Sequence, residues 1–358
     1  MDLLVKRDEL GETRLEEHGS PALVAGEARL RVDAFALTAN NITYAVFGGA
    51  MGYWNFFPAP EGWGRIPVWG FADVVESTVA DLPEGTRVYG YLPMSTELVV
   101  TPTRVDDRGF VDATPHRQAM AAAYNSYSRT DADPAYDAAH EDALMLLRPL
   151  VTTGFLLDDF LGDGDRFGAT AVVLSSASSK TAAATAFFLA QRDGLDVIGL
   201  TSTGNREFVD ALGVYDTVVA YDEVANLPTQ PAIFVDIAGS ADVRAAVHRH
   251  YGDDLRHSAI VGGTHWDERP SDEAAGPLPG PAPAMFFAPD QIRKRVEDWG
   301  SASYDERMTA GLRQAIAWSD GWLRVERGRG PDVVQERYLT VLRGDTPPSA
   351  GHVLSMWT

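Results

Sequence analysis

Apolar and polar residues alternate over residues 27–35 (EARLRVDAF), as they do in a half-buried strand, and residues 86–91 and 97–100 carry the same two-residue period. The first third of the chain is therefore expected to be β-rich. Between these strands Gly48, Gly49, Gly52, Pro58, Pro60, Gly62, Gly64 and Pro67 crowd one stretch, a density that suits irregular connections better than any helix. From about His140 the period changes, and EDALMLLRPLVTTGFLLDDFL repeats its apolar residues at helical spacing. Strand-like and helix-like segments then alternate: ATAVVLSS, KTAAATAFFLAQRDG, DVIGLTS, NREFVDALG, DTVVAYD, PAIFVDIAG, DVRAAVHRHYG and HSAIVGG. That order predicts a parallel, doubly wound α/β sheet with crossover helices. Residues 269–283 (RPSDEAAGPLPGPAP) read as an exposed connection, PDQIRKRVEDWG and YDERMTAGLRQAIAW as helices, and GHVLSMW as a closing strand.

Length adds a domain count. At 358 residues the chain exceeds what one core supports, because cores stop growing near roughly 250–300 residues. Two domains are expected, residues 1–140 together with 285–358 and residues 141–284. The sequence has no Cys, which removes disulfides, thiolate metal sites and a cysteine nucleophile together. Its net charge of -21 repels phosphate backbones and anionic membranes, so no nucleic-acid or membrane partner is expected. No apolar run approaches the roughly 20 residues that span a bilayer, and the opening MDLLVKRDELGETRLEEHG is too charged for a signal peptide. A cytoplasmic protein is expected.

The candidate chemistry begins where AVVLS runs into Ser175, Ser176, Ala177, Ser178, Ser179, Lys180 and Thr181 and then into an alanine-rich helix. A helix start of small residues offers unpaired N–H groups and a positive dipole end to a phosphate. Without a G-x-G-x-x-G fingerprint, an ordinary turn with a serine cap explains the same residues, and both readings stand. The next strand, VIGLTS, ends without the acid that would take the ribose 2′-hydroxyl of NAD; Thr201, Ser202, Thr203, Asn205 and Arg206 stand there instead. Such a set suits a 2′-phosphate and favours NADP(H), although Asn205 and Arg206 also suit the start of a solvated helix.

In this order the segments resemble the medium-chain dehydrogenase/reductase superfamily over nearly the whole chain, nearest its quinone and enoyl reductases, and also resemble a subfamily of long-unassigned function. EARLRVDAFALTANNITYAVFGG, VWGFADVVES and EGTRVYGYLPMSTELVVTPTRV are similar to its first domain, LRPLVTTGFLL to its cleft helix, the segments from VVLSSASSKTAAATAFFLAQ to AIVGG to its cofactor domain, and AGHVLSMW to its closing strand. The resemblance implies a Rossmann domain plus a β-rich GroES-like catalytic domain. It implies NADP(H), with Asn41 (or its neighbour Asn40), Tyr44 and Tyr53 in a loop at the nicotinamide end, Tyr221 by the adenosine 2′-phosphate, and Gly262 and Gly263 at the strand end near the nicotinamide. The chain departs from the family at its glycine-rich loop, where Ser178, Ser179 and Thr181 stand at the glycine positions. It departs again where zinc-binding members carry Cys and Gly-His-Glu, since Gly70 and Asp73 occupy the comparable region. No metal is expected; His248 and His250, the closest histidine pair, read as helix residues.

The implied reaction is metal-free hydride transfer from NADPH to an enone, quinone or carbonyl carbon, with Tyr44 as proton donor and Asn41 or Tyr53 beside it. Tyr53, Trp54, Phe56, Phe57, Trp63 and Trp69 would then be either core or an apolar wall for an aromatic or acyl substrate. Two alternatives remain: a non-catalytic NADPH-binding scaffold of the same fold, and a P-loop-like nucleotide-binding protein suggested by Ser179-Lys180-Thr181. A homodimer is left open.

Overall fold

The alternation over residues 27–35 becomes strand β1 (Ala28–Leu37) in a computed structural model that describes residues 1–261 and 278–358. Leu30, Val32 and Phe35 are buried on its inner face while Arg31 is exposed. β1 pairs antiparallel with β2 (Pro67–Ser77), which pairs with β3 (Arg87–Pro93). The register shifts twice along β1, between Arg29 and Leu30 and between Val32 and Ala34, so the strand bends as bulged strands do. Gly70 is required at this pairing, since a Cβ there would stand 2.3 Å from the Ala34 carbonyl oxygen. Strands at 324–329 and 350–355 extend the sheet beyond β1, those at 126–129, 109–112 and 102–106 extend it beyond β3, and Glu97–Val100 pairs with β1. With a small sheet of strands at 2–6, 9–16 and 63–64, they enclose a core that includes Leu3, Val5, Leu30, Val68 and Val88.

Residues 39–46, expected in an irregular loop, instead form helix α1 (Ala39–Val46). Helix α2 (Glu141–Asp163) follows the last strands of this part, and its residues beyond 146 belong to a second body. There the alternating segments give five strands, β4 (Ala171–Leu174), β5 (Asp196–Thr201), β6 (Thr217–Ala220), β7 (Ala232–Asp236) and β8 (Leu255–Ile260), and a short sixth that the sequence did not mark, β9 (Ala284–Met285), joins them. All their pairings are parallel and the spatial order is β6-β5-β4-β7-β8-β9. This is the doubly wound order of a Rossmann sheet, which reverses direction between β4 and β7. Helices α3 (Lys180–Leu189), α4 (Arg206–Ala211) and α5 (Ala241–Tyr251) make the crossovers. One face buries Val172, Leu174 and Val197 with Leu157 of α2 and Ala186 of α3; the other buries Val173, Ile198 and Phe234 with Val247 of α5. Two faces covered in this way explain why the strands read as continuous apolar runs.

The chain divides into Met1–Leu146 with Leu323–Thr358, and Leu147–Trp322. The expected boundary at 284/285 thus differs, because helices α6 (Ala288–Trp299) and α7 (Ser301–Ser319) pack with the Rossmann sheet's own helices. Arg295 of α6 donates to Asp159 of α2 at 2.6 Å, and Trp318 of α7 stacks on Phe187 of α3 at 5.0 Å. The connection read at 269–283 lies outside the described residues as far as 277. No described helix is long and apolar enough to cross a membrane.

Candidate functional site

Thr38 precedes α1 in extended backbone, and three residues later Asn41 turns its side chain back upon it. Asn41 Oδ1 accepts from the Thr38 N–H at 2.8 Å and from its hydroxyl at 3.2 Å, while Nδ2 donates to the Pro67 carbonyl at 2.9 Å. This reciprocal capping box starts the helix and ties it to β2. The Asn41 amide is thereby employed, and the geometry gives it a structural place where the sequence suggested a reacting one.

Tyr44 lies one turn on, 6% exposed, among Tyr53, Tyr91, Phe56 and Phe57, with Trp69, Met120 and Tyr124 at the margin. Its ring centroid is 4.7 Å from that of Tyr53 and 5.5 Å from that of Tyr91. Trp69 Nε1 donates to the Tyr44 oxygen at 3.3 Å. A phenol has one proton and two acceptor lone pairs. Asn40 and Tyr91 also stand within hydrogen-bonding reach of this hydroxyl. Burial pushes Tyr44 up to about 12, with Tyr53 adding to the rise and Trp69 opposing it. Tyr53, also buried, is raised above the usual phenol value by the same desolvation.

Tyr91 and Tyr124 complete the cluster, and the sequence did not single them out. Tyr91 is fully buried, with its hydroxyl within hydrogen-bonding reach of Tyr44. Tyr124 is set by Arg117, a 1% exposed guanidinium that donates to its carbonyl at 2.6 Å, to Asp112 and Tyr127 at 2.9 Å and to Asn125 at 3.0 Å. The Arg117 guanidinium also stands over the rings of Phe56 and Phe57, at 5.4 and 5.2 Å. A buried charge that makes four such hydrogen bonds fixes its neighbours firmly. Sequence patterning carries no mark of this, because Arg117 sits in a 3₁₀ turn without a period.

At the end of β4 the serine-rich turn divides its labour. Ser175 is fully buried, donates to Asp236 Oδ1 at 2.9 Å and accepts the N–H groups of Ile237 and Ala238 at 2.9 Å, so its hydroxyl ties β4 to β7. Asp236 also accepts from Arg244 at 2.8 Å. Ser179 caps α3 by accepting the Ala182 N–H at 3.2 Å, and Ser178 accepts from Asn205 at 3.2 Å. The left-handed residue of the turn is Ser176, with φ of 53°, whereas Ser178, Ser179 and Thr181 take ordinary negative φ. The glycine requirement therefore falls at 176, two residues earlier than the family pattern suggested. The Ser176 N–H donates to the Tyr221 hydroxyl at 3.1 Å. Lys180 and Thr181 open α3, and burial draws the Lys180 ammonium down to about 8.

At the end of β5, Thr201 is 1% exposed and its hydroxyl has no partner among the described residues. Ser202 lies exposed before the 3₁₀ turn Thr203–Asn205, and Arg206 opens α4 with its guanidinium 2.9 Å from Glu223 Oε2. Gly262 and Gly263 lie outside the described residues.

A family model described as "Protein of unknown function (DUF2855)" matches residues 35–347, most of both units. The chain belongs to that family. No curated protein matches it in sequence. Solved structures do share its fold. CurA from Vibrio vulnificus in complex with NADPH is 14% identical with a TM-score of 0.62, over 97% of this chain and 94% of that one. YhdH of E. coli K-12 with bound NADPH is 14% identical with a TM-score of 0.55, over 99% of this chain and 100% of the other. Glucose dehydrogenase from Haloferax mediterranei is 13% identical with a TM-score of 0.55, over 100% and 99% of the two chains. Across these identities the likeness is one of fold, and it gives this DUF2855 chain a Rossmann domain together with a GroES-like β-rich domain.

The residues present fit a dinucleotide better at its adenosine end than at its pyrophosphate. Thr201 offers an orphaned buried hydroxyl, Lys180 a cation, and Arg206 a guanidinium shared with Glu223. By contrast the hydroxyls of Ser175 and Ser179 are already engaged, which leaves the first turn of α3 and Ser178 for phosphate oxygens.

Proposed function

We propose that the protein is an NADPH-dependent oxidoreductase, zinc-independent, that reduces an enone, quinone or carbonyl compound of apolar or aromatic character. What supports it most directly is Tyr44, a buried phenol that accepts from Trp69 and stands beside a second buried hydroxyl, Tyr91, within an aromatic cluster. Two such hydroxyls on an aromatic wall are what an oxygen-bearing, otherwise apolar substrate needs. NADP(H), when bound, supplies the hydride equivalent for an electron-poor carbon. Thr201, Ser202, Asn205, Arg206, Tyr221 and Lys180 would hold it, with Ser178 and the start of α3 toward its phosphates. Tyr44 gives its proton to the substrate oxygen as charge develops there, Trp69 holds the phenol oxygen in place, and Tyr53, Phe56 and Phe57 exclude water.

A second reading, a non-catalytic NADPH-binding scaffold, is favoured by the Asn41 side-chain oxygen and the Ser175 hydroxyl being employed within the fold. An assay of NADPH oxidation across enones, quinones and aldehydes, with and without a chelator, separates the two. Turnover of one class that survives chelation is expected. Cofactor binding with no turnover of any class would favour the scaffold, and loss of activity with the chelator would overturn the metal-free mechanism.

A further inference from the structure

No acid stands at the end of β5, yet one reaches the start of α4 from the end of β6. Glu223 follows β6 in a 3₁₀ turn, Tyr221–Asn226, and its Oε2 accepts from Arg206 at 2.9 Å and from the Ala220 N–H at 3.1 Å. The backbone bond fixes this carboxylate, so its place beside Arg206 does not depend on the ion pair alone. Both side chains remain open to a ligand, at 44% and 39% exposed. In a Rossmann sheet the adenosine ribose lies off the end of the second strand, here β5, where an acid takes a 2′-hydroxyl and an arginine takes a 2′-phosphate. This chain brings one of each to that strand end and bonds them together.

We infer that Glu223 sets the cofactor choice of this protein, neutralising Arg206 and so restraining its preference for a 2′-phosphorylated dinucleotide. The inference rests on the proposed binding of NADP(H). A 2′-phosphate arriving at Arg206 meets a guanidinium already shared with a carboxylate and a second negative charge a few ångströms away. The 2′-hydroxyl of NAD meets no such repulsion. The discrimination between the two cofactors is accordingly smaller than Arg206 alone would give.

The Glu223→Gln variant tests this cleanly, because the glutamine carbonyl can still accept the Ala220 N–H while the charge is gone. Calorimetric titrations of both proteins would use NADPH, NADH, 2′,5′-ADP and ADP. Since an exposed charge pair contributes little more than about 1 kcal/mol, NADPH and 2′,5′-ADP should bind about fivefold tighter to the variant, with NADH and ADP unchanged or weaker. The gain should shrink at high salt and fall when Arg206→Ala is added, which leaves only the direct repulsion between Glu223 and the 2′-phosphate. An unchanged NADPH affinity, or an equal change for NADPH and NADH, would overturn the role of Glu223 while leaving NADPH binding intact. Binding of none of the four ligands to either protein would overturn the dinucleotide reading itself and this inference with it. An unaltered thermal midpoint confirms that the variant is folded.

Discussion

Asn41 and Tyr44 lie three residues apart on α1, and the helix uses them in opposite ways. Asn41 satisfies Thr38 and Pro67, whereas Tyr44 carries its hydroxyl into the aromatic cluster beside Trp69 and Tyr91. The family resemblance made both candidates in the sequence, and an amide and a phenol can each stabilise an oxyanion. What separates them is bookkeeping of donors and acceptors, which needs coordinates. The Thr38-x-x-Asn41 spacing is itself a capping pattern and could have marked Asn41 as structural from sequence alone. For Tyr44→Phe the expected outcome is a kcat lower by about 10²- to 10³-fold with a nearly unchanged NADPH Kd, as for other lost oxyanion donors. Single-turnover loss of NADPH absorbance measures it. If the phenylalanine variant turns over at the original rate, Tyr44 is simply core, and Tyr91 is the next hydroxyl to test.

Elements with a long period were legible and short ones were not. β1 and five strands of the parallel series follow from alternation and apolar runs, but the two-residue β9 does not, and ANNITYAV, eight residues of mixed propensity, becomes a helix that a capping box starts. Another local feature escapes any pattern: Asp165, Arg166 and Phe167 all adopt left-handed backbone, with φ of 45°, 51° and 50°, before Gly168 at 73°. Each non-glycine residue there costs about 1–2 kcal/mol. Phe167 recovers part of this by stacking on His257 at 4.3 Å, while Arg166 has only an exposed bond of 3.2 Å to the Asp193 carbonyl. Replacing Arg166 with Gly removes the steric cost and adds unfolded-state entropy worth about 0.5–1 kcal/mol, so a net gain of about 0.5–1 kcal/mol is expected. Thermal unfolding should show a midpoint higher by about 2 °C. A lower midpoint would mean that the Asp193 contact outweighs the backbone strain.

For the whole molecule, composition and segment order conveyed the fold class, because a parallel sheet must bury every strand and separate successive ones by helices. The unit boundary was less legible: α6 and α7 join the Rossmann unit through contacts such as Arg295 with Asp159, between residues far apart in sequence. Burial of phenols is equally invisible in sequence, and it gives the molecule an alkaline limit. Tyr44, Tyr127, Tyr251 and Tyr304 are each buried and each raised by desolvation to about 12. An unfolded tyrosine titrates near 10. The folded state therefore holds these protons more tightly than the unfolded state does. The resulting stability is fully present below pH about 10 and is lost as pH rises toward about 12. With four such groups spread over both units, global unfolding should precede their individual ionisation. Tyrosinate absorbance should then rise in two stages, a shallow one near pH 10 from accessible phenols and a steep one above it that coincides with the loss of circular dichroism. A single gradual titration centred near 10, with the dichroism intact, would show that solvent reaches these rings in the folded protein, and the dry aromatic wall around Tyr44 would have to be abandoned.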